Sequence, residues 1–228
     1  MIAPPADLLL LFDIDGTLVR RTGPYHRDAL VAAVRNVLGI ESTTDGVPVH
    51  GMLDRAILRQ MIANAGGSAE DAERAMPALV EEASRVYVES CPPLPGKTCP
   101  GVVELLGRLQ AMRVPIALVT GNFSRIGWKK LEQTGLRQYF RWGAFAEMAE
   151  TRGELAALAI AQVRAAGHAV PRNRIALIGD APSDIQAARE NGIRSVSVAT
   201  GISSREDLAL CKPDALITSL EEFAFCWG

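Results

Sequence analysis

Short apolar runs that stop abruptly at polar or glycine residues punctuate this chain. Leu8–Phe12 runs into Asp13, Ile116–Val119 into Thr120-Gly121-Asn122, and Ile175–Ile178 into Gly179-Asp180. Two weaker runs follow, Ser195–Val198 and Ala215–Ile217. Each is short and dominated by aliphatic residues, as expected of strands covered on both faces of a parallel sheet. Segments of helical period lie between them. Val102, Val103, Leu105, Leu106 and Leu109 form one apolar stripe. Leu155, Leu158, Ala159 and Val163 form another, closed by Gly167 and Pro171, and Ile185 with Ala188 begins a shorter helix that ends at Gly192. Strands alternating with helices predict right-handed βαβ units and a doubly wound parallel α/β sheet. Ligands of such sheets sit at the carboxyl ends of the strands, which here carry Asp13, Thr120 and Asp180.

Residues 21–94 interrupt this alternation. They hold helical periodicity and no convincing strand: Leu30, Val34 and Leu38 lead to Gly39, and Leu53, Ile57, Leu58 and Met61 lead to Gly66-Gly67. A third segment from Ser68 to Val88 should break at Pro77, where proline removes a donor and crowds the preceding turn. Cys91-Pro-Pro-Leu-Pro-Gly96 reads as a stiff linker. The expected organisation is therefore a sheet domain of residues 1–20 plus 95–228 with a helical insert at 21–94.

Composition narrows the class. With 24 basic against 26 acidic residues, net charge −2, no positive excess exists to neutralise a nucleic-acid backbone. No apolar run approaches the length of a membrane span, and Leu8–Phe12 lacks the basic flank of a signal peptide. Four cysteines, Cys91, Cys99, Cys211 and Cys226, show no CxxC spacing, and the three histidines are scattered, so reduced thiols in a cytoplasmic protein are expected rather than a zinc site. Trp128, Trp142 and Trp227 are expected to serve packing.

The candidate chemistry lies at the strand ends. Asp13-Ile14-Asp15-Gly16-Thr17 places two carboxylates two residues apart at the end of a buried strand, where unpaired charge is costly. Thr120 offers a hydroxyl beside backbone N–H groups. Gly179-Asp180-Ala181-Pro182-Ser183-Asp184 adds two carboxylates at a strand-to-helix turn. Four acids converging with little base nearby point to a hard divalent cation, and Mg²⁺ takes oxygen ligands.

In order and spacing these motifs resemble the haloacid dehalogenase (HAD) superfamily of phosphohydrolases: Asp13-Ile-Asp15-Gly-Thr17 is similar to its first motif, Thr120-Gly-Asn122 to its second, and Gly179-Asp180 with Asp184 to its fourth. The insert resembles the family's C1-type cap, while Pro100-Gly101-Val102 and Lys212-Pro-Asp214-Ala-Leu-Ile217 resemble the phosphoglycolate phosphatase-like branch. The resemblance implies a Rossmann-like core and a cytoplasmic, Mg²⁺-dependent phosphatase that acts on a small phosphorylated metabolite as a monomer or homodimer. It implies that Asp13 is the nucleophile that becomes an aspartyl-phosphate, and that Asp15 is the general acid and base. Mg²⁺ would be held by Asp13, Asp180 and the backbone carbonyl of Asp15, with Asp184 in an outer, orienting role. Thr120, with Gly121 and Asn122, would hold the phosphoryl group, and Gly16 with Thr17 would let the backbone turn closely past it.

One position departs from the family. Where relatives place a lysine before the helix leading to the fourth motif, this chain reads Ala149-Glu-Thr-Arg152-Gly-Glu-Leu155. Arg152 is the expected substitute because a guanidinium can hold a phosphate oxygen and a carboxylate together. Lys129 and Lys130 are the alternative, although such a pair more often forms a solvated helix face. Asp15 argues against a dehalogenase, whose departing halide needs no proton, and the absence of lysine from 21–94 argues against a phosphonatase that needs a cap lysine. A β-phosphoglucomutase-like phosphosugar mutase would keep both aspartates and remains open, as does a non-catalytic phosphate-binding protein. Substrate choice should rest on polar residues of the insert and its hinges: Arg20, Arg21, Tyr25, His26, His50, Asp54 and Arg55. Of these, His50 and Arg20 are the nearest candidates for substrate contact.

Overall fold

The computed structural model describes residues 8–224, so Cys226 and Trp227 lie outside the described residues. Six parallel strands form one sheet in the order β3-β2-β1-β4-β5-β6: β1 (Leu9–Phe12), β2 (Ile116–Val119), β3 (Trp142–Ala144), β4 (Ile175–Gly179), β5 (Arg194–Val198) and β6 (Ala215–Ile217). In β1 successive side chains alternate between two hydrophobic layers. Leu9 and Leu11 join Ala117, Val119, Ile175 and Leu177 on one face. Leu8, Leu10 and Phe12 join Ile116, Leu118, Ala176 and Ile178 on the other. Both faces are thus covered, which is why these runs are continuously apolar rather than alternating. Leu10 is fully buried, and Leu10→Ala would cost about 2–5 kcal/mol in transfer and cavity terms.

Helices α4 (Val102–Ala111), α5 (Ser124–Gln133), α6 (Arg152–Ala165), α7 (Pro182–Glu190) and α8 (Arg205–Leu210) accompany the sheet. The α4 stripe of Val102, Leu105, Leu106 and Leu109 packs into the Leu10–Phe12 layer. Leu155, Ala156, Ala159 and Val163 of α6 pack into the Leu9–Leu11 layer. Strand β3 escapes the apolar-run reading because it is three residues long, holds Gly143 and lies at the sheet edge. Trp128 tilts against Phe145 and Trp142 meets His168 edge-on, so both tryptophans pack.

Between β1 and α4 the chain forms α1 (Tyr25–Leu38), α2 (Asp54–Asn64) and α3 (Ala69–Ser90). The break expected at Pro77 does not occur; α3 runs unbroken through it. Pro77 lies on the exposed side, whereas Ala72, Met76, Leu79, Ala83 and Tyr87 form a buried stripe that keeps the helix packed past the missing hydrogen bond. Ser68 caps its start by accepting from the Asp71 backbone N–H at 3.0 Å. Core residues of these helices belong to the same hydrophobic cluster as Leu9 and Leu11. No described helix is long and apolar enough to cross a membrane.

Candidate active site

The sheet order places β1 between β2 and β4, so the three motif-bearing strand ends are neighbours. Phe12 pairs with Leu118 on one side and with Ile178 on the other, and the Asp13 N–H donates to the Ile178 carbonyl at 3.0 Å. Asp13 therefore emerges between the ends that carry Thr120 and Asp180, where the strand order reverses.

Ligand atoms of Asp13, Asp180 and Asp184 all lie within 4.8 Å of one another, and all three residues are buried. Arg152 is buried beside them. Its Nη2 lies 2.5 Å from Asp13 Oδ1, and its Nε donates to Asp184 Oδ1 at 2.6 Å. The arginine is positioned by the start of α6, where Thr151 and Glu154 form a capping box that leaves Arg152 at the first helical residue. Asp184 is likewise fixed, its Oδ2 accepting from the Ala181 N–H at 3.1 Å at the start of α7. Arg152 thus pairs with two of the three carboxylates. Burial pushes Asp13 up to about 7 despite Arg152, with Asp184 and Asp15 adding to the rise. Burial, Asp13 and Asp184 push Asp180 up to about 8.

The second motif-one acid has other surroundings. Asp15 presents 45% of its side chain to solvent, and both its oxygens accept from Lys130 Nζ, at 2.7 and 2.6 Å. Asn122 Nδ2 donates to Asp15 Oδ2 at 2.8 Å. Burial opposes ionisation of Asp15, but Lys130, His26 and Asn122 outweigh it and hold the carboxyl below its usual value. Lys130 is not on a solvated face: it is only 1% exposed, and it also donates to Asn122 Oδ1 at 2.6 Å and meets His26 Nδ1 at 3.2 Å. The far nitrogen of His26 lies 3.0 Å from Asp54 Oδ2, which accepts the Phe123 N–H at 2.9 Å. From sequence, Arg152 and the pair Lys129 and Lys130 are alternatives for one role. Arg152 and Lys130 are both buried here, on different aspartates, while Lys129 is partly exposed.

The remaining predicted residues divide by where they point. Thr120 is fully buried and its Oγ1 accepts from Asn122 Nδ2 at 2.6 Å, so it braces the Asn122 amide. Thr17 is also buried and donates to Asp180 Oδ1 at 3.3 Å, which makes it a support for an acid rather than a wall of the cavity. Gly16 sits at φ +82°, and a Cβ there would meet Asp180 Oδ2. Gly121 backs directly onto the Met52 carbonyl, and its own carbonyl accepts the Asp54 N–H at 2.8 Å. Arg20 departs from expectation: its Nε donates to the Thr98 carbonyl at 3.2 Å, away from the cavity, whereas neighbouring Arg21 lines it. His50 Nε2 bonds Ser203 Oγ at 2.9 Å and stands 3.8 Å from Asp180 Oδ2. Burial holds its pKa below the usual value. Tyr25 packs against the core, and Arg55 pairs with Glu150 at 2.7 Å. His26 and Asp54 line a cavity of about 450 Å³ that contains Asp13, Asp15 and Asp180 in its wall.

The acidic cluster fits a divalent cation on its own chemistry. Asp180 Oδ2 is buried without any hydrogen-bond partner, and a Cβ at Gly16 or Gly201 would fall on that carboxylate. An orphaned anionic oxygen among three acids is the arrangement a hard cation satisfies.

Known proteins share sequence and fold with this chain. A family model described as haloacid dehalogenase-like hydrolase matches residues 8–192. The chain is 33% identical over 202 residues to a phosphoglycolate phosphatase of Caulobacter vibrioides, covering 84% of this chain and 79% of that protein. It is 29% identical over 222 residues to a phosphoglycolate phosphatase of Pseudomonas savastanoi pv. phaseolicola, covering 94% and 77%. Among solved structures, a β-phosphoglucomutase of Clostridium difficile superposes with TM-score 0.72 at 21% identity over 99% of this chain and 94% of that one, a likeness of fold. With the family model spanning the sheet motifs and the helical segment alike, the chain belongs to the haloacid dehalogenase-like hydrolases and is a phosphatase of their phosphoglycolate phosphatase-like branch.

Proposed function

We propose that this protein is a Mg²⁺-dependent hydrolase of a small phosphomonoester, working through an aspartyl-phosphate on Asp13. The observation that carries the reading is the contrast between the two motif-one acids. Asp13 lies in a three-carboxylate cluster with an orphaned oxygen, and Asp15 is held by Lys130 facing the cavity. Pairs of acids in opposed environments are how one site divides nucleophilic from acid–base work.

Asp13, Asp180 and the backbone carbonyl of Asp15 would hold Mg²⁺, with Asp184 beside them. The cation would supply the positive charge that keeps these carboxylates ionised and offsets the phosphoryl group. Asp15, ionised in the free protein, takes up a proton from solvent as the negatively charged phosphoryl group binds beside it. Asp13 then attacks phosphorus, and the bond to the ester oxygen breaks as Asp15 passes that proton to it. Water then attacks the aspartyl-phosphate, Asp15 takes the water's proton, and phosphate departs with the Asp13 carboxylate restored. Lys130, Asn122 and His26 orient Asp15 for both proton transfers. Arg152 holds Asp13 and Asp184 and stands ready for a phosphoryl oxygen. Residues 21–94 act as a cap domain over the sheet domain of 1–20 plus 95–228, joined to the second motif through Asp54.

The test is phosphate release from p-nitrophenyl phosphate and from a panel of natural phosphomonoesters that includes phosphoglycolate, the substrate in the relatives' names. The expected result is turnover with Mg²⁺, its loss with EDTA, and a fall of about 10³-fold or more in Asp13→Asn. A wild-type protein that releases no phosphate from any ester overturns the proposal, and isomerisation of a sugar phosphate without net release would identify a mutase.

A further inference from the structure

The cavity that opens from Asp13, Asp15 and Asp180 is large, and much of its wall is apolar. Its volume of about 450 Å³ lies within the range of roughly 300–1,000 Å³ that receives a drug-sized ligand. Leu30, Val49, Met52, Ile57 and Ile202 line it. Two of these are unusual for their setting: Val49 is 41% exposed and Ile202 56% exposed, and they flank the opening from the helical segment and from the loop after β5. Large aliphatic side chains left half in water at a cavity mouth gain free energy when a ligand covers them.

The same mouth carries a free cation. Arg21 lines the cavity, is exposed, and has no ion-pair or hydrogen-bond partner among the described residues. The other cations in the wall are engaged: Lys130 by Asp15, Arg152 by Asp13 and Asp184, and Arg27 by Asp28. From floor to mouth the cavity therefore offers a phosphoryl site, an apolar wall and, among the described residues, one uncommitted guanidinium. A two-carbon acid held at the floor would leave the wall uncovered.

We propose that the substrate is a phosphomonoester with an extended apolar body and a second anionic group, a carboxylate or its equivalent, that Arg21 receives. This rests on the phosphatase reading above and adds to it the chemical class of the leaving group. Val49, Met52 and Ile202 select the body, and Arg21 selects the distal charge.

A series of ω-carboxyalkyl phosphates of two, four and six carbons, the shortest being phosphoglycolate, tests this with leaving groups of similar chemistry. Hexyl phosphate serves as the uncharged comparison. We expect kcat/KM to rise along the series by about 3- to 4-fold for each methylene that reaches the wall. Hexyl phosphate should fall about 10-fold below its carboxylated counterpart, and Arg21→Ala should erase that ratio. Ile202→Ser with Val49→Ser, both at exposed positions, should flatten the dependence on length. Phosphoglycolate turned over as well as or better than the six-carbon ester overturns the apolar-body assignment. A charge ratio that survives Arg21→Ala overturns the role of Arg21. Absence of phosphate release from all four esters while p-nitrophenyl phosphate is turned over overturns this inference alone, and absence from p-nitrophenyl phosphate and the natural panel as well overturns the phosphatase reading with it.

Discussion

Asp13 and Asp15 stand two residues apart on one loop, yet the protein treats them as opposites. Asp13 faces inward to Asp180 and Asp184 with a single guanidinium for the group, and burial drives it up to about 7. Asp15 faces the cavity, and a buried ammonium, an amide and a histidine hold it low. The difference comes from which neighbour each side of the sheet supplies. The β4–α7 turn brings acids to Asp13, and α5 with the helical segment brings Lys130 and His26 to Asp15. One side is short of positive charge and suited to a cation. The other is already neutralised and suited to moving a proton in a fixed place.

The largest way to break this contrast is to remove the Arg152 guanidinium from the Asp13 side. Arg152→Ala should lower kcat by about 10²-fold or more, and Arg152→Lys should restore part of it without regaining the two-pronged hold on Asp13 and Asp184. Steady-state kinetics at saturating Mg²⁺ reads both. On the Asp15 side, Lys130→Met should lower kcat by roughly 10-fold, and the acidic limb of the pH–rate profile should move to higher pH. That direction follows because Lys130 is the leading influence holding Asp15 low, so its removal lets burial raise the carboxyl. A profile that keeps its position would leave Lys130 with a packing role only.

Asp54 sharpens the comparison further out. Asp54→Ala strips the acceptor from both the Phe123 N–H and His26, a loss of about 1–3 kcal/mol in stability measured by denaturant unfolding. Asp54→Asn keeps an acceptor for Phe123 and should cost less. The smallest effect is one of pH. In metal-free protein Asp13 and Asp180 keep their protons to about 7 and 8, whereas unfolded aspartate releases them near 3.8. Between pH 5 and 8 the folded state therefore binds more protons than the unfolded one, so stability falls as pH rises. With EDTA the Tm should drop by several degrees across that window. With Mg²⁺, which binds the ionised acids, the drop should shrink or reverse.

Much of this was legible in the sequence, and the rest was hidden for identifiable reasons. The strand ends could be read because apolar runs terminate at Asp13, Thr120 and Asp180, and a parallel sheet gathers such ends at one edge. The burial of Lys130 and its pairing with Asp15 could not, because Asp15 lies 115 residues away and a helical lysine beside Lys129 carries no local mark of burial. The same applies to His26 and Asp54, which meet only when α1 and the start of α2 pack together. Arg20 and Arg21 are adjacent cations on an irregular segment, and no periodicity decides which one turns toward the cavity. Pro77 shows the converse: its local signal was plain, and packing along α3 overrode it.

The division of labour between the two acids is tested most directly by mixing Asp15→Asn enzyme with p-nitrophenyl phosphate and Mg²⁺ in a rapid-mixing spectrometer. p-Nitrophenolate leaves without needing a proton, so Asp13 can still be phosphorylated, but the water that should release the phosphate has lost its base. The expected trace is a burst of about one equivalent of p-nitrophenolate per enzyme followed by a near stall, with the phosphate found on Asp13 after acid quenching. Steady turnover at the wild-type rate without a burst, or a burst whose phosphate is carried elsewhere than Asp13, would contradict the separate roles assigned to Asp13 and Asp15.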